Sequence, residues 1–200
     1  MTNLSIKSEL ISETIAEEII RGEQSPGARL AQDAIASRFE CSHVPVREAL
    51  QRLVQMELAT SEPRKGVRVV ALSKSDHQEI QEMRLALEPL ALRLAVAEVH
   101  DENLRDIEGH RLSCDTARDA ISWESANRAF HMAIVKPCGR PRLLKQIEAL
   151  QRLSAHRFHI KWQKKWVQSP DRDHAGIVGA MQDRDAETAC TILVRHLNRG

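Results

Sequence analysis

The sequence predicts a mainly α-helical protein with two domains, residues 1–72 and 73–200. Three patterns predict this fold class. Apolar residues recur at helical spacing before residue 58, alternate with polar residues between 59 and 69, and return to helical spacing from residue 73 onward. A chain of 200 residues that is 42% hydrophobic and 28% charged is long enough to bury a core in each domain.

The first domain begins with two predicted helices. Ile11, Ile15 and Ile19 recur every four residues, which predicts an amphipathic helix over about residues 8–21. Glycine and proline then predict a turn. A shorter apolar stripe predicts a second helix over about residues 32–39.

A third helix is predicted to begin at Ser42, whose hydroxyl can cap the first turn, with Pro45 in that turn. Its apolar positions fall at helical spacing and predict a buried face, made of Val46, Ala49, Leu50 and Leu53. His43, Val44 and Arg47 are therefore expected on the outer face of this helix.

A β-hairpin is predicted after the third helix, with strands near residues 59–62 and 67–69. Its turn is Pro63-Arg64-Lys65-Gly66, and Gly66 supplies a backbone conformation that other residues resist. Three helices followed by a hairpin with a basic tip predict a winged helix-turn-helix, in which the third helix enters the major groove of DNA.

Four segments of this domain carry a more specific signature. They are Ile19-Ile20-Arg21-Gly22, Pro26-Gly27-Ala28-Arg29-Leu30, Ser42-His43-Val44-Pro45-Val46-Arg47-Glu48-Ala49-Leu50-Gln51-Arg52-Leu53 and Arg64-Lys65-Gly66-Val67-Arg68-Val69. Together they resemble the N-terminal domain of the GntR family of bacterial transcription regulators. The resemblance implies a homodimer that binds a palindromic operator in double-stranded DNA. The residues expected to contact DNA are Arg38, Ser42, His43, Val44, Arg47, Arg64, Lys65 and Gly66.

Net charge gives no independent indication of a nucleic-acid partner. The whole chain carries +1, and residues 1–70 hold nine basic and ten acidic side chains. DNA binding would therefore depend on a local patch. Arg47, in the exposed first turn of the third helix, is expected to present its guanidinium to guanine. The alternative is a solvated Arg47 paired with Glu48 or Glu40.

The second domain is predicted to be an all-α bundle of six helices. Residues 73–76 resemble a capping box, and an apolar stripe follows in which Pro89 can produce a kink. The other five helices are predicted near residues 102–117, 120–136, 140–165, 170–182 and 185–198.

Several residues of this bundle resemble the effector domain of the FadR branch of the family, the FCD domain, in its shorter VanR-like form. They are Arg84 and Glu88, the segment Asn127-Arg128-Ala129-Phe130-His131, and His174 with His196. The resemblance implies a domain that senses a small organic acid and forms the dimer. Arg84 is a candidate contact for the effector carboxylate, although pairing with Glu88 one turn later competes with that role.

The resemblance also implies a metal site built from Asn127, His131, His174 and His196. Three imidazoles and an amide oxygen suit Zn²⁺ or Ni²⁺ and leave open positions for water or an anionic ligand. The family more often has Asp where Asn127 stands, so this ligand set binds a cation less strongly and leaves more charge for the effector. The alternative is that each histidine is a separate surface or core residue.

The resemblance implies a transcription repressor of a metabolic operon, controlled by a small organic acid, and not an enzyme. Two alternatives remain: a metal-dependent hydrolase with a three-histidine site, and a regulator whose effector domain holds no metal. The sequence lacks H-E-x-x-H, which disfavours the hydrolase.

Cellular location is predicted from the N-terminus and the cysteines. Glutamates interrupt the first 20 residues, so no export signal is expected. Charged residues interrupt the longest apolar run, residues 85–99, so no membrane span is expected. The scattered cysteines form no C-x-x-C pair and are typical of reduced thiols, which predicts a cytoplasmic protein.

Overall fold

A computed structural model describes residues 3–162 and 166–199 of the chain. The chain divides into two compact units, residues 1–75 and 76–200. The predicted mainly α-helical fold is confirmed. Among the helices in the described ranges, none combines the length and the apolar character needed to cross a membrane.

The N-terminal unit contains three helices and two strands. Their bounds are α1 Asn3–Ile20, α2 Gln32–Arg38, α3 His43–Gln55, β1 Ala59–Glu62 and β2 Gly66–Val69. The isoleucine stripe of α1 is fully buried. It packs against α3, whose Val46, Ala49 and Leu53 are also fully buried. This apolar contact leaves the opposite face of α3 in solvent.

The start of α3 differs from the prediction in one detail. Ser42 is the N-cap residue, but its hydroxyl makes no capping hydrogen bond. Pro45 is buried in the first turn, so the turn is fixed by packing and by the restricted φ of proline. The Ser42 hydroxyl, which was predicted to cap the helix, is instead exposed.

The hairpin pairs in register from Ala59↔Val69 to Glu62↔Gly66. A segment before α2 lies along the other edge of β2 as an addition that the sequence did not predict. Leu30 N donates to Val67 O at 2.9 Å, and Val69 N donates to Ala28 O at 2.9 Å. The hairpin is thus attached to the body of the unit along its whole second strand.

The C-terminal unit contains six α-helices within its described residues, which confirms the predicted bundle. Their bounds are α4 Lys74–Glu98, α5 Asp101–Thr116, α6 Ala120–Val135, α7 Pro141–Trp162, α8 Arg172–Gln182 and α9 Ala186–Leu197. A short 3₁₀ helix, Lys136–Cys138, follows α6. Helix α4 continues through Pro89 without a break. The core includes Leu92, Phe130, Ile134, Ile147 and Leu193, all fully buried.

The turn after α3 contains a left-handed residue. Glu57 has φ 60°, and Glu40 before α3 has φ 47°. Left-handed backbone is unfavourable for residues with a Cβ, and glycine is the usual residue immediately after a helix. Glu57 therefore stores strain at the exit of α3.

We expect Glu57→Gly to stabilise the protein by about 0.5–1 kcal/mol, because relief of left-handed strain exceeds the extra chain entropy of glycine. Urea unfolding of the full chain measures this as a higher midpoint at unchanged slope. The matched control is Glu48→Gly inside α3, which should destabilise by about 1 kcal/mol. A lower midpoint for Glu57→Gly would contradict the strain assignment.

Candidate functional site

The outer face of α3 is the first candidate surface. Arg47 is exposed in its first turns, and among the described residues it has no ion-pair partner, so the predicted alternative pairing with Glu48 or Glu40 is not observed. Val44 is 52% exposed beside it. An exposed guanidinium and an exposed apolar residue are thus displayed on the same helix.

His43 lies at the start of the same helix and faces α2. Its Nε2 atom is 3.6 Å from Asp33 Oδ1, and both side chains are exposed. The ring nitrogens of His43 add hydrogen-bonding groups to this surface.

Arg38, a predicted phosphate contact, is held by an acidic residue of α1. Its guanidinium forms a two-pronged ion pair with Glu18, in which Nη1 donates to Oε2 at 3.0 Å and Nη2 donates to Oε1. The hydrogen bond from Arg38 lowers the pKa of Glu18. A phosphate would have to compete with Glu18, so Arg38 serves first to join α2 to α1.

The tip of the hairpin carries one paired and one unpaired cation. Lys65 Nζ is 2.9 Å from Glu62 Oε2. Arg64 is exposed, has φ 64° and has no ion-pair partner among the residues that the structure describes. Gly66 has φ 79°, the conformation predicted for it. Arg64 is therefore the cation at this tip that is available to an anion.

In the C-terminal unit, three predicted histidines come together from three helices. His131 Nε2 of α6 is 3.1 Å from His196 Nε2 of α9. His174 of α8 lies with its ring centroid 4.7 Å from that of His196. One nitrogen of each ring lies within 4.8 Å of the others, which fits coordination of a single cation.

The protonation of these rings favours metal binding. Burial and, to a lesser extent, the neighbouring His131 lower the pKa of His174 to about 2. Burial and His131 likewise lower the pKa of His196 to about 3. Both rings are neutral near pH 7, and both His174 nitrogens are buried with no hydrogen-bond partner in the part of the chain that the structure describes. A buried, unpartnered imidazole lone pair is suited to a cation.

Two of the rings have a carboxylate next to their Nδ1 atom. Glu88 Oε2 lies 3.0 Å from His131 Nδ1, and Asp171 Oδ2 lies 3.4 Å from His196 Nδ1. When Nδ1–H faces a carboxylate, the Nε2 lone pair is left free, and this arrangement is common behind metal-binding histidines. In that tautomer the two Nε2 atoms that face each other would be free to act as donor atoms toward a cation.

Glu88 is the most deeply buried charge of the unit. Burial alone would raise its pKa, but the charge of Arg84 and the hydrogen bond with His131 outweigh burial and lower the pKa to about 2. Arg84 Nε donates to Glu88 Oε1 at 2.6 Å, and Arg84 Nη1 donates to Ser154 Oγ at 2.9 Å. The pairing of Arg84 with Glu88 that the sequence favoured is present, and it competes with a direct contact between Arg84 and an effector.

Asn127 lies one helical turn before His131 on α6. Its Oδ1 atom is buried and has no hydrogen-bond partner among the described residues. Both residues line a cavity of about 340 Å³ that also reaches His196 and Arg84. An orphaned amide oxygen at this position is available as a fourth ligand for a cation.

A second acidic group near His196 is less suited to a metal. Asp171, Asp173 and His196 also lie close enough to share a cation. Asp173, however, already pairs with both Arg195 and Arg199. A cation there would have to displace two guanidinium groups, so the three-histidine group is the better site.

Comparison with known proteins identifies both units. Residues 7–69 match the bacterial regulatory proteins of the gntR family, and residues 79–199 match the FCD domain. The chain belongs to the GntR family, in its FadR-type branch. The predicted resemblance is therefore confirmed, and the chain is a DNA-binding transcription regulator.

Two relatives and one solved structure illustrate the likeness. The chain is 32% identical over 196 residues to the HTH-type transcriptional repressor GlaR of Escherichia coli (strain K12), across 92% of this chain and 89% of GlaR. It is 28% identical over 204 residues to a probable D-xylose utilization operon transcriptional repressor of Paenarthrobacter nicotinovorans, across 98% and 88%. The structure of E. coli McbR/YncC shares the fold with a TM-score of 0.85 at 23% identity, across 100% of this chain and 95% of that one.

The matched families and relatives are transcription regulators and not enzymes. The regulator is therefore not a metal-dependent hydrolase, although three histidines around an open position also occur in hydrolytic sites.

Sequence reasoning missed the residues that orient the histidines. Glu88 was assigned only to Arg84, and Asp171 was assigned no role. Asp171 caps α8 and accepts a hydrogen bond from Asp173 N at 2.8 Å, three residues before His174. A cap signal directly before a histidine was thus visible in the sequence, whereas the contact between Glu88 and His131 joins residues 43 positions apart.

In the metal-free regulator, we expect Glu88→Gln to destabilise by about 3 kcal/mol, because it leaves Arg84 buried without its counter-charge. Adding Arg84→Met should recover most of that loss, since both charges are then absent. Urea unfolding with a chelator present measures both effects. A Glu88→Gln variant as stable as wild type would contradict the role of this ion pair.

The same pair has a defined pH dependence. The pKa of Glu88 falls from 4.5 to about 2 on folding, so the stability from its ionised form is complete above pH 4.5 and is lost as pH falls toward 2. The difference in unfolding free energy between wild type and Glu88→Gln should therefore narrow across that interval. A difference that widens on acidification would contradict the assignment.

Proposed function

We propose that the regulator is a homodimeric repressor of a metabolic operon, released from its operator when a small organic acid binds at a metal in the C-terminal unit. The observation that carries the DNA-reading role is Arg47, which is exposed on the outer face of α3 and has no ion-pair partner within residues 3–162 and 166–199. The repressor role is supported by the names of the two relatives, and operon control by the second of them.

Specific recognition is assigned to α3. Arg47 offers a two-pronged donor to guanine O6 and N7, and Val44 offers an apolar contact to a thymine methyl group. His43 adds a hydrogen-bonding group, and the exposed Ser42 hydroxyl at the helix N-terminus suits a phosphate.

Contacts with the DNA backbone are assigned mainly to the wing, which is the β-hairpin of residues 59–69. Arg64 supplies an unpaired charge, Lys65 adds a second once it leaves Glu62, and Gly66 permits close approach of the chain to the DNA. Arg38 joins them only where a phosphate competes successfully with Glu18. These contacts fix the position of the protein on DNA without reading its sequence.

Two copies are needed for a genomic site. One recognition helix reads a few base pairs, which is too little against roughly 10⁶ or more competing sites. A two-fold dimer reads twice as many base pairs, and its symmetry matches that of a palindromic operator. The FCD unit is proposed as the dimer-forming part.

The metal would be held by His131, His174 and His196, with Asn127 as the fourth ligand. Neutral imidazoles and an amide favour Zn²⁺ or Ni²⁺. The bound cation would supply positive charge to a carboxylate. None of the four metal ligands is anionic, so the full charge of the cation would remain to attract the effector. This supports an acid as the effector.

A second candidate is a regulator that senses its effector without a metal. The 3.1 Å separation of His131 Nε2 and His196 Nε2 favours it, because the two rings can also share a hydrogen bond. Elemental analysis of the purified regulator separates the two candidates.

We expect Arg47→Ala to weaken specific operator binding by about 1–3 kcal/mol and to relax the preference at one base pair in each half-site. Binding to operator variants, measured by fluorescence anisotropy at fixed salt, checks this.

The matched control is Arg64→Ala on the wing. It should weaken binding to all sequences alike and reduce the slope of affinity against salt concentration. If Arg47→Ala discriminated among operator sequences as well as wild type does, the placement of α3 in the major groove would be contradicted.

His174→Ala should lose both metal retention and release by the effector, while effector-free operator binding persists. Asn127→Asp should tighten the metal and weaken the organic acid, because it adds a negative ligand. Competition with a chelator and operator-release assays measure the two properties. Full acid-dependent release in a His174→Ala, His196→Ala double variant would refute the metal switch.

A further inference from the structure

The cavity beside the candidate metal site extends along α6. Trp123, Asn127 and His131 lie one helical turn apart along α6 and all line it. Eight residues of α-helix separate the first from the last, which is a length of about 12 Å. His131 and Asn127 mark a polar end, and Trp123 marks an opposite end about two turns away.

A pair of aromatic side chains lies at the end marked by Trp123. The sequence contains three Trp, three Phe and no Tyr, and the described residues that line this cavity include three aromatic side chains, Trp123, Phe158 and Trp166. The rings of Trp123 and Phe158 lie with centroids 5.1 Å apart at an angle of 32°. Ile80 and Ala155 add further apolar surface to the cavity lining. Such a lining is suited to a flat apolar group.

A buried polar residue indicates that a ligand or water completes the cavity. Gln151 of α7 lines it and is only 3% exposed, yet neither Nε2 nor Oε1 has a hydrogen-bond partner among the described residues. Buried amides are nearly always hydrogen-bonded. Gln151 lies one turn before Ser154, which contacts Arg84, so this unpaired amide is near the polar end.

We infer that the effector is a carboxylic acid that carries an aromatic ring on a short chain. The carboxylate lies at the His131 and His196 end, within reach of the Gln151 amide, and the ring lies against Trp123 and Phe158. This inference rests on the proposed function, because that function places an acid at the metal end.

The charged residues of the cavity suggest one competing class of effector, the dicarboxylates. Four arginines line it, and three of them are paired: Arg84 with Glu88, Arg128 with Glu124, and Arg199 with Asp171. Arg157 has no ion-pair partner among the described residues, and its charge lowers the pKa of His77, after the effect of burial. A dicarboxylate would place its second carboxylate there.

The ring is favoured over a second carboxylate for two reasons. With a dicarboxylate, the three aromatic side chains would contact only a methylene chain, whereas an aryl group can stack on their faces. An unpaired guanidinium also packs favourably over an aryl ring, so Arg157 is compatible with the aromatic ligand.

Calorimetric titration of the Zn²⁺-loaded full chain with three probes tests the inference. The probes are 3-phenylpropionate, 3-cyclohexylpropionate, which is equally apolar but not aromatic, and glutarate, which has a second carboxylate. We expect 3-phenylpropionate to bind about three- to tenfold more tightly than 3-cyclohexylpropionate, and more tightly than glutarate.

Phe158→Leu should bring the affinity for 3-phenylpropionate to within about twofold of that for 3-cyclohexylpropionate. Retained binding of the cyclohexyl acid in this variant shows that the fold and the metal end are intact. The matched control, Phe39→Leu, makes the same change in the N-terminal unit and should leave all three affinities unchanged.

Three outcomes would overturn the inference. Equal affinity for the phenyl and cyclohexyl acids removes the aromatic preference while the proposed function stands. Tightest binding of glutarate, lost in Arg157→Gln, assigns the cavity to dicarboxylates instead. Binding of none of the three acids overturns this inference together with the effector role of the metal site.

Discussion

One buried carboxylate determines the geometry of the C-terminal unit. Glu88 has no exposed surface, and a charge in that position is tolerated only when strong partners reach it. Arg84 supplies the counter-charge from the preceding turn, and His131 approaches from α6. Since Arg84 also donates to Ser154 of α7, three helices are held around a single anion. The orientation of His131 and the shape of the adjacent cavity both follow from this arrangement.

His196, whose Nε2 atom faces that of His131, is also positioned by a carboxylate, here that of Asp171. Asp171 begins α8 as its cap, so the carboxylate that satisfies the first backbone amides also faces His196. His174, three residues later, enters the core against Phe130 with ring centroids 4.2 Å apart. One acidic residue thus fixes the start of a helix, the orientation of one imidazole and the placement of another. Stability and ligand geometry are inseparable here.

The periodic elements could be predicted from the sequence, because buried stripes such as Ile11, Ile15 and Ile19 repeat at the spacing of a helix. The histidine cluster could not be predicted from spacing, because its members are far apart in the chain. Only family resemblance brought them together. The partner of Arg38 was also beyond local reasoning, since Glu18 lies 20 residues earlier. Local patterns specify elements, whereas ion pairs between elements depend on packing that one sequence does not display.

The added segment beside β2 affects more than the position of the hairpin. An isolated two-stranded ribbon is marginally stable and has two open edges that can pair with another chain. Here residues 27–30 occupy one edge, and the other belongs to β1, only four residues long with polar Thr60, Ser61 and Glu62. Little backbone therefore remains for strand addition. A regulator that searches crowded DNA at high local concentration can expose a wing of this construction with a low risk of self-association through its strands.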